Sequence, residues 1–502
     1  MAAAAPSAGR RFVCVHGHFY QPQRENPWTG RIDQQLSAAP FHDWNERITH
    51  ECYEPNTRAR VHDGHGRAVN NYARISFNFG PTLLSWMEEQ APDTYAAILA
   101  GDRESRERFS GHGSALAQAH GHIILPLANE RDIRTQVRWG LRDFAHRFGR
   151  PAEGMWLPEC AADTRTLQAL ADEGVRFTVL APGQARRVHG EAGGWHDAAG
   201  GRIDPRRPYQ VELAGGRSIA VFFYDGPISQ AVAFEGLLHN GERLAARLMG
   251  AFSGERREPQ LAHIATDGES YGHHHRFGEM ALAYALDRIE QDKDTRLTNY
   301  GEFLERNPPA RKAEIVENSS WSCAHGVERW RADCGCATGD NAGGSQAWRG
   351  PLRAALDELR DAAAGAFEKE SQGFLWDCWR ARDEYIGVLL DGSPDQVGGF
   401  LRRNAAVRLS DAQRSRVFKL LELQRFAQLM YTSCGWFFDD IGRIETLQVL
   451  RYAARVLELS RELFGEDWEP AFLRTLRQAK SNDPKNGDGA MIYRTSVRPS
   501  GA

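Results

Sequence analysis

Seven short apolar runs divide the first 270 residues, and most of them are continuous rather than alternating in polarity. Continuous runs of this length are typical of strands that are buried on both faces of a parallel sheet. Helical patterns lie between several runs, for example at 135–148 and 164–172. This alternation predicts an α/β fold, and the number of repeats favours a barrel. The runs are 12–16, 75–79, 123–127, 154–157, 177–180, 219–224 and 263–265.

Polar side chains stand at or just after the ends of these runs. In parallel barrels, functional residues lie at the carboxyl ends of the strands. The sequence therefore predicts that these side chains meet at one face of the barrel. They are His16, His18, Asn78, Asn129, Glu159, Asp225 and Asp267.

The rest of the chain contains a predicted hairpin, an irregular segment and a helical segment. Segments 209–213 and 218–224 predict a hairpin across Gly215 and Gly216. After two prolines at 308 and 309, an irregular segment rich in Trp and Cys follows, and apolar residues then recur with helical spacing from 351 onward. We therefore predict three parts: a catalytic barrel at 1–306, a connecting segment at 307–349 that is a possible lid, and an α-helical domain at 350–502.

Composition excludes several classes of protein. The net charge is −4 and no basic stripe or tail appears, which argues against binding to nucleic acid. No apolar run approaches the roughly 20 residues of a membrane span, and the first residues do not resemble an export signal. The eight cysteines are too dispersed for a disulfide framework. We expect a cytoplasmic protein without a membrane partner, and the oligomeric state stays open.

Two acidic residues dominate the predicted site. Glu159 follows Pro158 and the aromatic Trp156, and Asp267 follows a buried run and precedes Gly268. Glycoside hydrolysis needs such a pair: one carboxylate attacks the anomeric carbon and the other protonates the leaving oxygen. Two close like charges also raise one pKa, which keeps the acid protonated. The alternative is that both acids pair with arginines or cap helices.

A His-x-His pattern supports a rival hypothesis. A metal-dependent hydrolase of amides or acetyl groups would bind its metal through histidine and aspartate side chains. The sequence offers His16 and His18 at the end of the first run and Asp267 on the last. His120 or His122, and the three histidines at 273–275, are further possible ligands. Otherwise these histidines contact substrate hydroxyls or pack in the core.

Taken together, the motifs resemble glycoside hydrolase family 57, in particular its α-amylase/α-mannosidase-like branch. The matching segments are 16–22, 121–122, 156–159, 267–273 and 433–438, and the resemblance covers about four-fifths of the chain. It implies that Glu159 is the nucleophile and Asp267 the acid/base. It also implies an incomplete (β/α)7 barrel with a C-terminal α-helical domain, a retaining mechanism on α-glucans or maltooligosaccharides, no required cofactor, and no metal at His16 and His18.

The resemblance does not decide the reaction, because the family contains hydrolases, 4-α-glucanotransferases and branching enzymes. In the fifth motif the family usually has an acid directly before the tryptophan, and Gly435 stands there instead. This departure leaves the polar contact of the helical domain in doubt. The substrate-binding residues that we predict are His16, His18, Trp156, His122, Asp225, Glu269, His273, Trp321, His325 and Trp436.

The segment 321–336 has three interpretations. It is a lid that carries Trp321 and His325 to the sugar, a loop packed between barrel and helices, or a structural metal site of three thiols and an imidazole. The four residues of the last interpretation are Cys323, His325, Cys334 and Cys336. The sequence does not choose among them.

Overall fold

The computed structural model describes residues 11–61, 66–190, 193–254, 256, 258–339 and 344–497. Within these ranges the chain forms two compact units. The barrel unit contains residues up to 21, 34–118 and 147–317, and the helical unit contains 22–33, 119–146 and the chain from 318 onward. The barrel unit thus extends beyond residue 306, where we had predicted its end, and two segments that we had assigned to it belong to the helical unit.

All strands in the described ranges belong to the barrel unit. They are β1 (Arg11–Phe19), β2 (Ala59–Arg60), β3 (Ala68–Val69), β4 (Ser76–Phe79), β5 (Ala117–Gln118), β6 (Met155–Trp156), β7 (Phe177–Leu180), β8 (Ala185–His189), β9 (Trp195–Asp197), β10 (Pro208–Glu212), β11 (Ser218–Phe223), β12 (Gln260–Asp267), β13 (Thr295–Leu297) and β14 (Ala313–Ile315).

Seven parallel strands in the described part of this unit follow one another around an incomplete (β/α)7 barrel, in the order β12, β1, β4, β5, β6, β7 and β11. β13 pairs with the first half of β1 and β4 with its second half. Between β11 and β12, a backbone hydrogen bond of 2.9 Å from Asp225 to His263 is formed in place of a ladder. Apart from Arg11, every residue of β1 is buried, as expected for a strand covered on both faces.

Six of the seven predicted strands are confirmed, and so is the predicted hairpin, which β10 and β11 form in antiparallel register. The prediction at 123–127 is wrong. That run belongs to the helical unit and contains a short 3-10 turn, Leu125–Leu127, while the third barrel strand is β5. A short apolar run with Pro126 inside it is compatible with buried turns as well as with strands, so the pattern alone could not separate the two.

The helices, in chain order, are α1 (Trp44–Ile48), α2 (Glu54–Thr57), α3 (Pro81–Gln90), α4 (Pro92–Arg108), α5 (Glu130–Phe148), α6 (Thr164–Asp172), α7 (Gly226–Phe234), α8 (Gly241–Met249), α9 (Gly278–Glu290), α10 (Tyr300–Arg306), α11 (Arg349–Ser371), α12 (Cys378–Glu384), α13 (Ile386–Leu390), α14 (Pro394–Asn404), α15 (Asp411–Leu429), α16 (Cys434–Phe437), α17 (Ile444–Phe464), α18 (Glu469–Leu476) and α19 (Gly489–Ile492).

The helical unit is built around α11, α15 and α17. Its core includes Leu352, Leu356 and Leu359 of α11, and their spacing of three and four residues is what the sequence predicts for a buried helix face. α17 ends at Phe464 and is followed by Gly465, whose φ of 68° suits a glycine cap. Among the described residues, no helix is both long and apolar enough to cross a bilayer.

Candidate active site

The register of β1 brings predicted site residues together. His18 stands opposite Asn78 of β4 on one side and opposite Asp267 of β12 on the other. His16 stands two residues earlier, opposite Ser76 and Ala265. Because parallel strands end at the same face, the carboxyl ends of these three strands form one edge of the barrel mouth.

The two histidines of β1 form a buried stack with Trp156 of β6. The ring of Trp156 lies 4.7 Å from that of His16, at 17°, and 5.1 Å from that of His18, at 21°. Burial lowers the pKa of both histidines to about 3, so both are neutral near pH 7. Neither His16 nor Trp156 has an exposed side chain. The two rings therefore have no exposed surface for the predicted contact with substrate, and they pack inside the barrel near the carboxyl ends of β1 and β6.

Asn78 links these histidines, although no individual role had been predicted for it. Its Oδ1 lies 3.1 Å from Nε2 of His16, and its Nδ2 donates to Nδ1 of His18 at 2.9 Å and to Oε1 of Gln118 at 2.7 Å. Ser76 Oγ lies 3.1 Å from Nδ1 of His16. The position of Asn78 at a strand end was a usable signal, but no pattern showed that it connects two rings.

Glu159 is held in an unusual backbone conformation just after β6. Its φ of 57° lies in the left-handed region, and the next residue, Cys160, has φ 49°. Such a conformation costs a non-glycine residue about 1–3 kcal/mol and is concentrated at functional sites. Gln184 fixes the turn by donating to the carbonyl of Cys160 at 2.7 Å. The side chain of Glu159 is half-buried, so the turn presents a carboxylate at the surface of the mouth.

Asp267 ends β12 and carries the second carboxylate. Its side chain is open to solvent, yet protein surrounds the carboxyl closely enough that desolvation is the largest cause of a pKa well above the usual range. The negative charges of Glu269 and then Glu159 raise this pKa further. A carboxyl that keeps its proton beside another carboxylate is the arrangement that acid catalysis requires.

Glu269 is buried and fixed by two donors. Its Oε1 accepts the backbone N–H of Tyr20 at 2.9 Å and the hydroxyl of Tyr53 at 2.5 Å. Burial raises the pKa of Glu269 to about 7, although both hydrogen bonds favour the charged form. Tyr53 belongs to a π-helical turn, Thr49–Tyr53, and no sequence pattern pointed to it. Glu269 therefore raises the pKa of Asp267 through its charge, and its buried side chain has little surface for the predicted contact with substrate.

Two other predicted binding residues have partners within the barrel unit. Asp225 caps α7 by accepting the backbone N–H of Ile228 at 3.0 Å, which is the alternative that we had considered for a strand-end acid. His273 forms an ion pair with Glu51, which also binds Arg47 at 3.0 Å. Both side chains are half-buried, so both stay candidates for contact with a substrate.

The remaining predicted binding residues belong to the helical unit. His122 is buried, and its Nδ1 lies 2.7 Å from Oγ of Ser433. Trp321 is half-buried and His325 is exposed, with its Nδ1 3.5 Å from Sγ of Cys336.

Trp436 is a core residue of the helical unit. Its side chain is 1% exposed, it stacks on Tyr431 at 6.3 Å, and its Nε1 donates to the carbonyl of Arg349 at 3.2 Å. The ring of Trp436 therefore has almost no exposed surface with which to make the predicted contact with substrate. A Gly-Trp-Phe-Phe run has the same composition whether its aromatic rings face solvent or the core, so the sequence could not decide this.

The geometry does not favour a metal at the two histidines of β1. Both ring nitrogens of His16 already have hydrogen-bond partners in Ser76 and Asn78. In the part of the chain that the structure describes, the potential ligands that converge in a group of three or more are Cys323, His325, Cys334 and Cys336, and no such group contains His16, His18 and Asp267.

The barrel is incomplete, its strands are parallel, and two acids lie at the carboxyl ends of the strands. These features place the chain in the class of barrel proteins whose functional sites lie at the carboxyl ends of the strands. Within this class, the profile described as glycosyl hydrolase family 57 matches residues 23–315, more than half of the chain, and the chain belongs to this family. Residues 345–502 match a second profile, described as a domain of unknown function (DUF3536).

Sequence relatives are distant. A 4-alpha-glucanotransferase of Thermococcus litoralis is 23% identical over 50% of this chain and 36% of its own length. An alpha-amylase of Pyrococcus horikoshii is 22% identical over 61% of this chain and 43% of its own length. The chain therefore spans about two-fifths of the length of the curated relatives that it matches.

Solved structures show the same fold. An exo-type maltose-forming amylase of Pyrococcus sp. ST04 superposes with a TM-score of 0.68 at 16% identity, covering 93% of this chain and 83% of the other. A GH57-type branching enzyme of Pyrococcus horikoshii gives a TM-score of 0.57 at 15% identity, covering 98% of both chains. These matches confirm the predicted incomplete barrel with a C-terminal helical region.

Proposed function

We propose that this protein is a retaining glycoside hydrolase that cleaves α-glucosidic bonds in α-glucans. The observation that carries the proposal is the placement of two acids at the carboxyl face of the barrel, Asp267 at the end of β12 and Glu159 just after β6, and the charge of Glu159 helps to raise the pKa of Asp267. Membership of glycosyl hydrolase family 57 and relatives named alpha-amylase support the substrate class. A cytoplasmic location and the absence of nucleic-acid and membrane partners stay predictions from composition.

In the proposed reaction, Glu159 is the nucleophile. Its carboxylate attacks the anomeric carbon while the protonated carboxyl of Asp267 gives its proton to the glycosidic oxygen, so the bond to the leaving sugar breaks as the bond to Glu159 forms. Asp267, now ionised, then removes a proton from water, which attacks the same carbon and releases Glu159. Two displacements restore the original anomeric configuration.

The strained turn at Glu159 and the buried stack of His16, His18 and Trp156 serve this reaction by positioning. The backbone of Glu159 is held at φ 57°, and Gln184 donates a hydrogen bond to the carbonyl of the next residue, Cys160. Together these constraints limit the directions in which the carboxylate of Glu159 can point. The stacked rings of His16, His18 and Trp156 are neutral and packed, so they form a rigid support that adds no charge.

A second candidate is glycosyl transfer by the same intermediate, because the relatives include a 4-alpha-glucanotransferase and a solved branching enzyme. The two reactions differ only in whether water or a sugar hydroxyl accepts the glycosyl group. Incubation with a single maltooligosaccharide separates them. We expect shorter products only, with a rise in reducing ends. Longer products at constant reducing ends indicate a 4-α-glucanotransferase, and new branch linkages indicate a branching enzyme. No change in any α-glucan contradicts the proposal.

The charge of Glu269 gives a prediction about pH. Glu269→Gln removes a negative charge that raises the pKa of Asp267, while the amide oxygen still accepts the bonds from Tyr20 and Tyr53. The pKa of Asp267 then falls and its proton is lost at lower pH. We expect the alkaline limb of the kcat/KM profile to move to lower pH, with the acidic limb less affected.

The matched control for this experiment is Glu107→Gln, which removes an exposed carboxylate from α4 of the same unit. Its profile should superpose on that of the wild type. An unchanged alkaline limb in Glu269→Gln, or a shift to higher pH, contradicts the role of Asp267 as the acid.

A further inference from the structure

The side chains of Cys323, His325, Cys334 and Cys336 converge on one point in the helical unit, and we call them the thiol cluster. Their ligand atoms all lie within 4.8 Å of one another. Sγ of Cys323 lies 3.9 Å from that of Cys334 and 3.8 Å from that of Cys336, and Nδ1 of His325 lies 3.5 Å from Sγ of Cys336.

These distances match the edges of a coordination tetrahedron. With Zn–S bonds of about 2.3 Å and Zn–N bonds of about 2.0–2.1 Å, tetrahedral geometry requires about 3.8 Å between two sulfurs and about 3.6 Å between sulfur and nitrogen. The three separations given above agree with these values. Cys323 is buried and Cys334 and Cys336 are half-buried, so the three thiols are at least partly shielded from solvent.

The positive charge beside the cluster supports the same conclusion. Arg349 is fully buried, and its guanidinium donates to Sγ of Cys334 at 3.8 Å and to the carbonyl of Cys336 at 3.0 Å. A divalent ion with three thiolates and one neutral imidazole carries a net charge of −1. A buried guanidinium next to that centre offsets its charge, and partners of this kind orient and stabilise metal-bound thiolates.

The surrounding segment has little regular structure to stabilise it. Between β14 and α11, the described residues contain one short 3-10 turn, Glu328–Trp330. The segment is joined to the motif at 433–438 by two side chains: Arg329 donates to the carbonyl of Phe437 at 2.7 Å, and Trp330 donates to that of Ser433 at 3.2 Å. An irregular segment of this kind gains most from a cross-link that fixes it.

We propose that Cys323, His325, Cys334 and Cys336 bind one structural Zn²⁺ ion. Four protein ligands fill a tetrahedral shell and leave no position for water, which is the arrangement of structural zinc sites. The ion holds residues 323–336 in one conformation beside α16. The site is independent of the proposed glycosidase reaction, and its occupancy is measured without any activity assay.

Metal analysis of the full-length protein, purified without chelator, tests the proposal. We expect about one zinc per chain in the wild type, and a loss of at least about tenfold in zinc affinity in Cys323→Ser and Cys336→Ser. Cys378→Ser is the control, because Cys378 is a half-buried cysteine of the same unit outside the cluster, and it should keep the wild-type zinc content.

Cobalt substitution keeps the test decisive if the serine variants fail to fold. Wild-type protein refolded with Co²⁺ should show the intense visible bands of tetrahedral cobalt and the near-ultraviolet charge transfer of cobalt–thiolate bonds, and Zn²⁺ should abolish both. Wild-type protein without bound zinc and without these bands overturns the proposal. An intact mass that shows a disulfide bond within the thiol cluster also overturns the proposal.

Discussion

Glu159→Gln is expected to abolish turnover of α-glucans while the protein stays folded. The amide cannot form the covalent bond to the anomeric carbon, and losing a catalytic nucleophile costs more than about a thousandfold in kcat. The substitution preserves side-chain size and leaves the turn bonded by Gln184, so melting temperature and glucan binding should stay close to those of the wild type. Initial rates and calorimetry on the same preparation measure both effects.

The control for this variant is Glu89→Gln, which removes an exposed carboxylate from α3. It should retain wild-type rates. If Glu159→Gln kept roughly a tenth of wild-type activity, another residue would have to be the nucleophile, because that loss is far below the cost of removing one.

Trp436→Ala is expected to destabilise the helical unit by about 3–5 kcal/mol, the usual cost of truncating a buried tryptophan. The variant loses the stack on Tyr431 and the hydrogen bond to the carbonyl of Arg349, and it leaves a cavity in a packed core. Differential scanning calorimetry should show a clear fall in melting temperature.

Trp376→Ala provides the comparison, because Trp376 is 75% exposed in the same unit. Its stability should change by no more than about 0.5 kcal/mol. A wild-type melting temperature in Trp436→Ala together with a raised KM would show instead that the ring contacts substrate and that the packing described above does not hold in solution.

The sequence predicted the strands of the barrel best where apolar runs are long and buried on both faces. β1 and β12 are of this kind, and the site residues near their carboxyl ends, His18 and Asp267, were found with them. The two-residue strand β5 was missed, because Ala117–Gln118 contains no apolar run that a pattern could detect. The segments 22–33 and 119–146 were assigned to the wrong unit, since which core a segment joins depends on packing between distant residues.

Residue types in the candidate site were easier to predict than their roles. Glu159 and Asp267 stood out by position, whereas the burial of His16, Trp156 and Trp436 could not be inferred from spacing. Tyr53 lies more than two hundred residues from Glu269 in the chain, and nothing local to either residue indicates their hydrogen bond.

Trapping the covalent glycosyl-enzyme on Glu159 tests the proposed reaction most directly. A fluorinated α-glucosyl fluoride that forms the intermediate quickly and releases it slowly should add one sugar to the wild-type protein. Mass spectrometry of a tryptic digest should then find the sugar on the peptide 148–165, with fragmentation placing it on Glu159 rather than on Glu153 or Asp163. A sugar attached to any other carboxylate, or turnover that yields the inverted anomer without an adduct, would contradict the account.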